Sequence, residues 1–139
     1  MAERDAQCIF CSIVAGEMDA QRVYEDDRLL VFMDAFPAAE GHLLLVPKRH
    51  AKDIFEMDVD DLRALIALSR DVAQAIRSAL APDGIGVHQL NGAAAGQTVF
   101  HYHMHLIPRK QGEGSGMHGR ERGEREALAR VAARIAAAL

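Results

Sequence analysis

The segment Phe100-His101-Tyr102-His103-Met104-His105-Leu106-Ile107 alternates histidine with apolar side chains. Successive side chains of a β-strand point to opposite faces, so this spacing predicts three imidazoles on one face. Tyr102, Met104 and Leu106 then anchor the strand from the other. Imidazole is nucleophile, proton carrier and metal ligand near neutral pH. Clustered imidazoles repel when protonated, so at least one of the three should stay neutral. Two chemistries fit the pattern: nucleophilic catalysis by a neutral ring, or a three-histidine zinc site with an open position.

The only cysteines are Cys8 and Cys11, three positions apart. A disulfide between them would close too small a loop to support a fold. A thioredoxin-type redox pair normally follows a strand and opens a longer helix, and no strand precedes this pair. Buried thiols or half of a metal site remain, and the latter needs partners from elsewhere in the chain.

These residues need elements to hold them. A short helix over residues 9–14 ends before Gly16. Residues 22–25 and 29–33 flank the turn candidate Asp26-Asp27 and read as a hairpin. The apolar run Leu43-Leu44-Leu45-Val46, bounded by Gly41 and Pro47, places a third strand over residues 42–47 and covers it on both faces. From Asp58, Leu62, Leu65, Ile66, Val72, Ala73 and Ile76 recur near helical spacing, predicting an amphipathic helix that ends near Leu80, ahead of Pro82 and Gly84. Two more strands are expected over residues 86–91 and 99–107. Three glycines within residues 112–116 predict a flexible stretch, because glycine carries a large ordering cost. Leu128, Val131, Ile135 and Leu139 then mark a final helix from about residue 122, with a thin apolar stripe. His88, His118 and the charged residues 120–125 read as structural or solvated groups.

Length and charge bound what such a chain can do. With 139 residues, half of them hydrophobic, one domain with one core is expected. Lys and Arg number 16 against 20 Asp and Glu, which argues against a surface for long nucleic acid but leaves room for a small phosphate ligand. The acidic N-terminus and the lack of a long apolar stretch predict a cytoplasmic protein with no membrane segment.

The run Gly96-Gln97-Thr98-Val99-Phe100-His101-Tyr102-His103-Met104-His105-Leu106-Ile107 resembles the signature of the histidine triad (HIT) nucleotide-binding family. Cys8-Ile9-Phe10-Cys11, Val31-Phe32-Met33-Asp34, the segment from Gly41-His42-Leu43 to Lys48-Arg49-His50, and Asn91 follow the family's order and approximate spacing. The similarity spans about residues 8–108. It implies an α+β HIT-like fold: a mostly antiparallel sheet of about five strands, a long helix between strands 3 and 4, and terminal helical segments. Residues 109–139 would add the glycine-rich stretch and a C-terminal helix to a single domain.

The resemblance also implies a function. His103 would attack the α-phosphorus of a purine nucleotide derivative, and water would then release the monophosphate. His105, Gln97 and Thr98 would contact the phosphate, and His42 would hold the tautomer of His103. Asp34 would accept hydrogen bonds from both ribose hydroxyls, with Asn91, Phe32, Phe10, Ile13 and Leu43 completing the nucleotide site. Cys8, Cys11, His50 and His101 would hold a structural Zn2+, and catalysis itself would need no metal. A homodimer is implied, acting as a nucleoside phosphoramidase, with a diadenosine polyphosphate hydrolase or a nucleotide-binding regulator as alternatives. The chain departs from the tryptophan-bearing tail of relatives that prefer small leaving groups: it has no Trp.

Overall fold

Continuous apolar runs build the second and third of the first three strands, β1 (Arg22–Glu25), β2 (Leu29–Met33) and β3 (Leu43–Pro47). In the computed structural model, which describes residues 4–119 and 121–139, Asp26 closes the first turn. Its Oδ1 accepts from the backbone N–H groups of Arg28 and Leu29, both at 2.8 Å. A short helix, α1 (Ile9–Val14), precedes these strands. The long helix α2 (Val59–Leu80) starts where the Asp58 carboxylate caps the N–H groups of Asp60 and Asp61, and it stops at Ala81, whose backbone is left-handed. Strands β4 (Gly84–His88) and β5 (Met104–Arg109) and the helix α3 (Arg125–Ala137) complete the chain. The sheet order is β1-β2-β3-β5-β4, with every neighbouring pair antiparallel. This is the expected α+β fold.

Every position of β2 and β3 is buried, so both faces of the sheet centre are covered. Leu29, Val31, Met33, Leu43 and Leu45 join Leu106 on the face that packs Leu65, Val72 and Ile76 of α2. Val131, Ala132 and Ile135 of α3 enter the same core, which is where the thin apolar stripe docks. Leu30, Phe32, Leu44 and Val46 turn to the opposite face and meet Cys8, Phe10, Cys11 and Ile13 around α1. Each fully buried Leu, Ile or Val contributes roughly 1.5–3 kcal/mol, so the α2 face dominates stability and the α1 face is left for chemistry.

Two strand boundaries differ from the sequence expectation. β4 spans Gly84–His88 and not residues 86–91, because Gln89 and Asn91 exchange side-chain hydrogen bonds in a loop instead. β5 begins at Met104, five residues later than expected, since the Tyr102 N–H donates to the carbonyl of Ala51 at 2.7 Å and not to a sheet neighbour. His101 and His103 therefore precede the strand, and the picture of three imidazoles on one face of one strand is corrected. The glycine-rich residues 112–116 lack regular structure, and the Arg109 guanidinium donates to the carbonyls of Gly114 and Gly116. Of the charged stretch 120–125, Arg120 lies outside the described residues, as do Met1, Ala2 and Glu3 of the acidic N-terminus. No helix among the described residues is long and apolar enough to cross a membrane.

Candidate functional site

The turn ahead of β5 sends the signature histidines in two directions. His101 is fully buried and points toward α1. Its Nε2–H donates to the carbonyl of Pro47 at 2.8 Å, which leaves the Nδ1 lone pair facing Cys8 Sγ at 3.4 Å and Cys11 Sγ at 3.6 Å. His50 Nδ1 lies 3.4 Å from Cys11 Sγ and 3.2 Å from His101 Nδ1. Ligand lengths of about 2.0–2.1 Å for imidazole and about 2.3 Å for thiolate give a zinc tetrahedron edges of roughly 3.3–3.8 Å. The four atoms thus fit a closed tetrahedral ion. Burial pushes the Cys8 thiol up and lowers His101 to about 4, so this pocket disfavours charge unless a cation supplies it.

His103 and His105 turn the other way, into a cavity of about 430 Å³ that is also lined by Phe10, Ile13, Phe32, Asp34 and Thr98. The His103 Nδ1–H donates to the backbone carbonyl of His101 at 2.7 Å. Its Nε2 therefore carries the lone pair. Burial lowers the basicity of this ring, so the neutral form prevails at pH 7.

A second chain of hydrogen bonds fixes the neighbouring rings. The Ala38 N–H donates to His42 Nδ1 at 2.9 Å, so His42 holds its proton on Nε2. That Nε2 lies 2.9 Å from His105 Nδ1, which accepts, and 3.3 Å from Asp34 Oδ2. His105 is thereby left with an Nε2–H to donate. Burial, aided by neighbouring positive charge, lowers His42 to about 4 and His105 to about 3, so both are neutral at pH 7 and the approach to Asp34 is not an ion pair. Asp34 Oδ1 accepts from the Phe36 N–H at 2.8 Å, and burial raises its carboxyl.

His42 is thus placed on His105, and not on His103 as the resemblance implied; the backbone carbonyl of His101 holds the His103 tautomer. Leu43 lies in the α2-side core, away from the cavity. Side chains alternate along β3, so the neighbouring Leu44, paired with Phe32, takes the cavity position. Gln97 and Asn91 also stay outside the cavity lining and act as loop staples. Gln97 Nε2 donates to the carbonyls of Lys52 and Val99, and its Oε1 accepts from the Gly92 N–H. Asn91 Oδ1 accepts from the Ile54 N–H at 2.8 Å.

The sequence reading missed His118. It lines the cavity, its ring 5.9 Å from and nearly perpendicular to that of His105. No spacing could signal it, because it arrives on an irregular segment after β5. The nearest clue is Gly119, where a Cβ would lie 2.2 Å from the carbonyl oxygen of Pro37.

A model of the HIT domain matches residues 15–112. Protein hit of Bacillus subtilis is 41% identical over 109 residues, covering 78% of this chain and 74% of that protein. The crystal structure of a HIT-like protein from Bartonella henselae superposes with a TM-score of 0.91 at 37% identity, covering 99% of each chain. A zinc-bound histidine triad protein from Mycobacterium smegmatis superposes at 0.83 and 33% identity, covering 95% of this chain and 92% of its own. A hypothetical histidine triad nucleotide-binding protein from Sulfolobus tokodaii gives 0.87 at 32% identity, covering 94% and 91%. With the domain match spanning most of the chain and relatives about 40% identical over three quarters of it, this protein belongs to the HIT domain family.

Proposed function

We propose that this chain is a nucleotide hydrolase that forms a covalent nucleotidyl-histidine on His103, acting most readily as a purine nucleoside phosphoramidase. One observation carries the reading: His103 donates from Nδ1 to its own chain, leaving a neutral ring with its lone pair on Nε2 in a cavity of nucleotide size. Nε2 forms a bond to the α-phosphorus as the bond to the leaving amine or oxygen breaks. Water then attacks the same phosphorus, the N–P bond breaks, and the monophosphate leaves. The His105 Nε2–H and the Thr98 hydroxyl donate to phosphate oxygens, and no catalytic metal is required. Asp34, with one oxygen held by the Phe36 N–H, is placed to accept from a ribose diol. Phe10, Ile13, Phe32 and Leu44 form the apolar end for the base.

The Cys8, Cys11, His50 and His101 set would hold Zn2+ with no open position, tying α1 to the loops before α2 and β5. The metal's contribution is structural. A homodimer fits the free edge of β4, where Val87 is exposed, together with the exposed Ile66 and Val59 on α2. A cytoplasmic location completes the reading. Diadenosine polyphosphate hydrolysis is the second reading, favoured by the cationic Arg122 and Arg125 on the cavity lining. Release of adenosine monophosphate from adenosine 5′-phosphoramidate is expected for the wild type and absent for His103→Ala. Equal turnover by both would remove His103 from the mechanism.

A further inference from the structure

We infer that His118 is a phosphate-contacting residue, delivered to the site by the segment after β5. The inference rests on the nucleotide reading above. A nucleotide phosphate brings negative charge into a cavity that already holds the Asp34 carboxylate. Among the described residues, the cavity lining adds three basic side chains to the triad: His118, Arg122 and Arg125. Arg125 Nε donates to Asp19 Oδ2 at 3.0 Å, and the Arg122 guanidinium sits 5.6 Å over the Phe36 ring. His118 alone of the three stacks edge-to-face with a triad ring. It is also exposed, so a ligand in the cavity can reach its ring. The groups that share the cavity with it include Asp34, His103 and His105.

Its placement is built into the backbone. The Gly119 N–H donates to the carbonyl of Phe36 at 3.1 Å, and the Gly123 N–H donates to that of Ala35 at 2.7 Å. Both acceptors belong to the turn that carries Asp34. The approach at Gly119 is close enough that any side chain there would strike the carbonyl of Pro37. His118 and Asp34 are consequently held as one unit, so a ligand seated on Asp34 by its sugar meets His118 with its phosphate.

The test is calorimetric titration of the full chain with adenosine monophosphate and with adenosine, for wild type, His118→Gln and His118→Lys. His118→Gln is expected to weaken the monophosphate about tenfold and leave adenosine unchanged, as loss of one charge-assisted hydrogen bond would. His118→Lys should restore most of the affinity, because its ammonium again donates to the phosphate. Unchanged monophosphate binding by His118→Gln, or no rescue by His118→Lys, would overturn the inference. So would equal weakening of both ligands, which would make His118 only a wall of the cavity. Failure of the wild type to bind either ligand would instead overturn the nucleotide reading and this inference with it, an outcome visible in the wild-type arm alone.

Discussion

The Cys8, Cys11, His50 and His101 cluster and the cavity cluster of Asp34, His42, His103 and His105 are built from the same imidazoles, a few residues apart in the chain. They differ in what occupies the second ring nitrogen. In the first, Pro47 takes the His101 Nε2–H and the remaining donor atoms converge on one point. In the second, lone pairs are used up in sequence: Ala38 occupies His42, His42 occupies His105, and only His103 keeps one free. The first arrangement has the form of a cage that a cation would complete, and the second leaves a single free lone pair with oriented donors around it. Residue type alone does not separate a ligand from a nucleophile; the partner of the other nitrogen does.

The sharpest way to break this division is to exchange one member of each set. His103→Ala should lower turnover by about 10³-fold or more while leaving metal content unchanged, as removal of a covalent nucleophile does. Cys11→Ser should show the reverse. Loss of the metal is expected to cost roughly 3 kcal/mol, on the order of 10 °C in melting temperature for a chain of this size. Turnover measured well below that melt should stay within about tenfold, since His103 is held by a backbone carbonyl and not by a metal ligand's side chain. A matching collapse of activity would merge the two regions into one.

A smaller effect sharpens the roles inside the cavity. His42→Ala should reduce kcat by about 10–100-fold, the usual cost of removing a group that orients a functional imidazole. The loss should appear with KM little changed, because His42 is fully buried behind His105. The smallest effect is in acid. His42 and His105 are lowered to about 4 and about 3 in the fold, against an ordinary value near 6.5. The unfolded chain therefore binds protons that the native state refuses, and stability falls as pH drops from about 6.5 toward 4. Each ring contributes up to about 1.4 kcal/mol per pH unit, readable in denaturant melts, and His42→Ala should flatten the slope.

Much of this was legible in the sequence because local patterns and global packing agree. Asp58 stands at the start of α2 and Pro82 follows its end, with leucines and isoleucines at helical spacing between. The apolar run of β3 announced a strand covered on both faces. Leu43 shows where the reading stopped: it and Leu44 are equally apolar, and only the register against Phe32 decides which one meets the cavity. The strand expected over residues 99–107 failed for a related reason. Its alternation was real, but a long-range bond from Tyr102 to Ala51 ended the ladder early and turned His101 toward α1. His118 was illegible because backbone contacts to residues 35–37, and no side-chain pattern, bring it to the site.

The most direct test of the central claim locates the nucleotidyl group. Wild-type protein would be quenched without acid during turnover of adenosine 5′-phosphoramidate, weighed intact, and mapped by peptide mass and by phosphorus and nitrogen NMR. The structure predicts one adenylyl group on Nε2 of His103. An adduct on Nδ1, on His101 or His105, or turnover with no adduct under conditions that trap a known nucleotidyl-histidine, would contradict it.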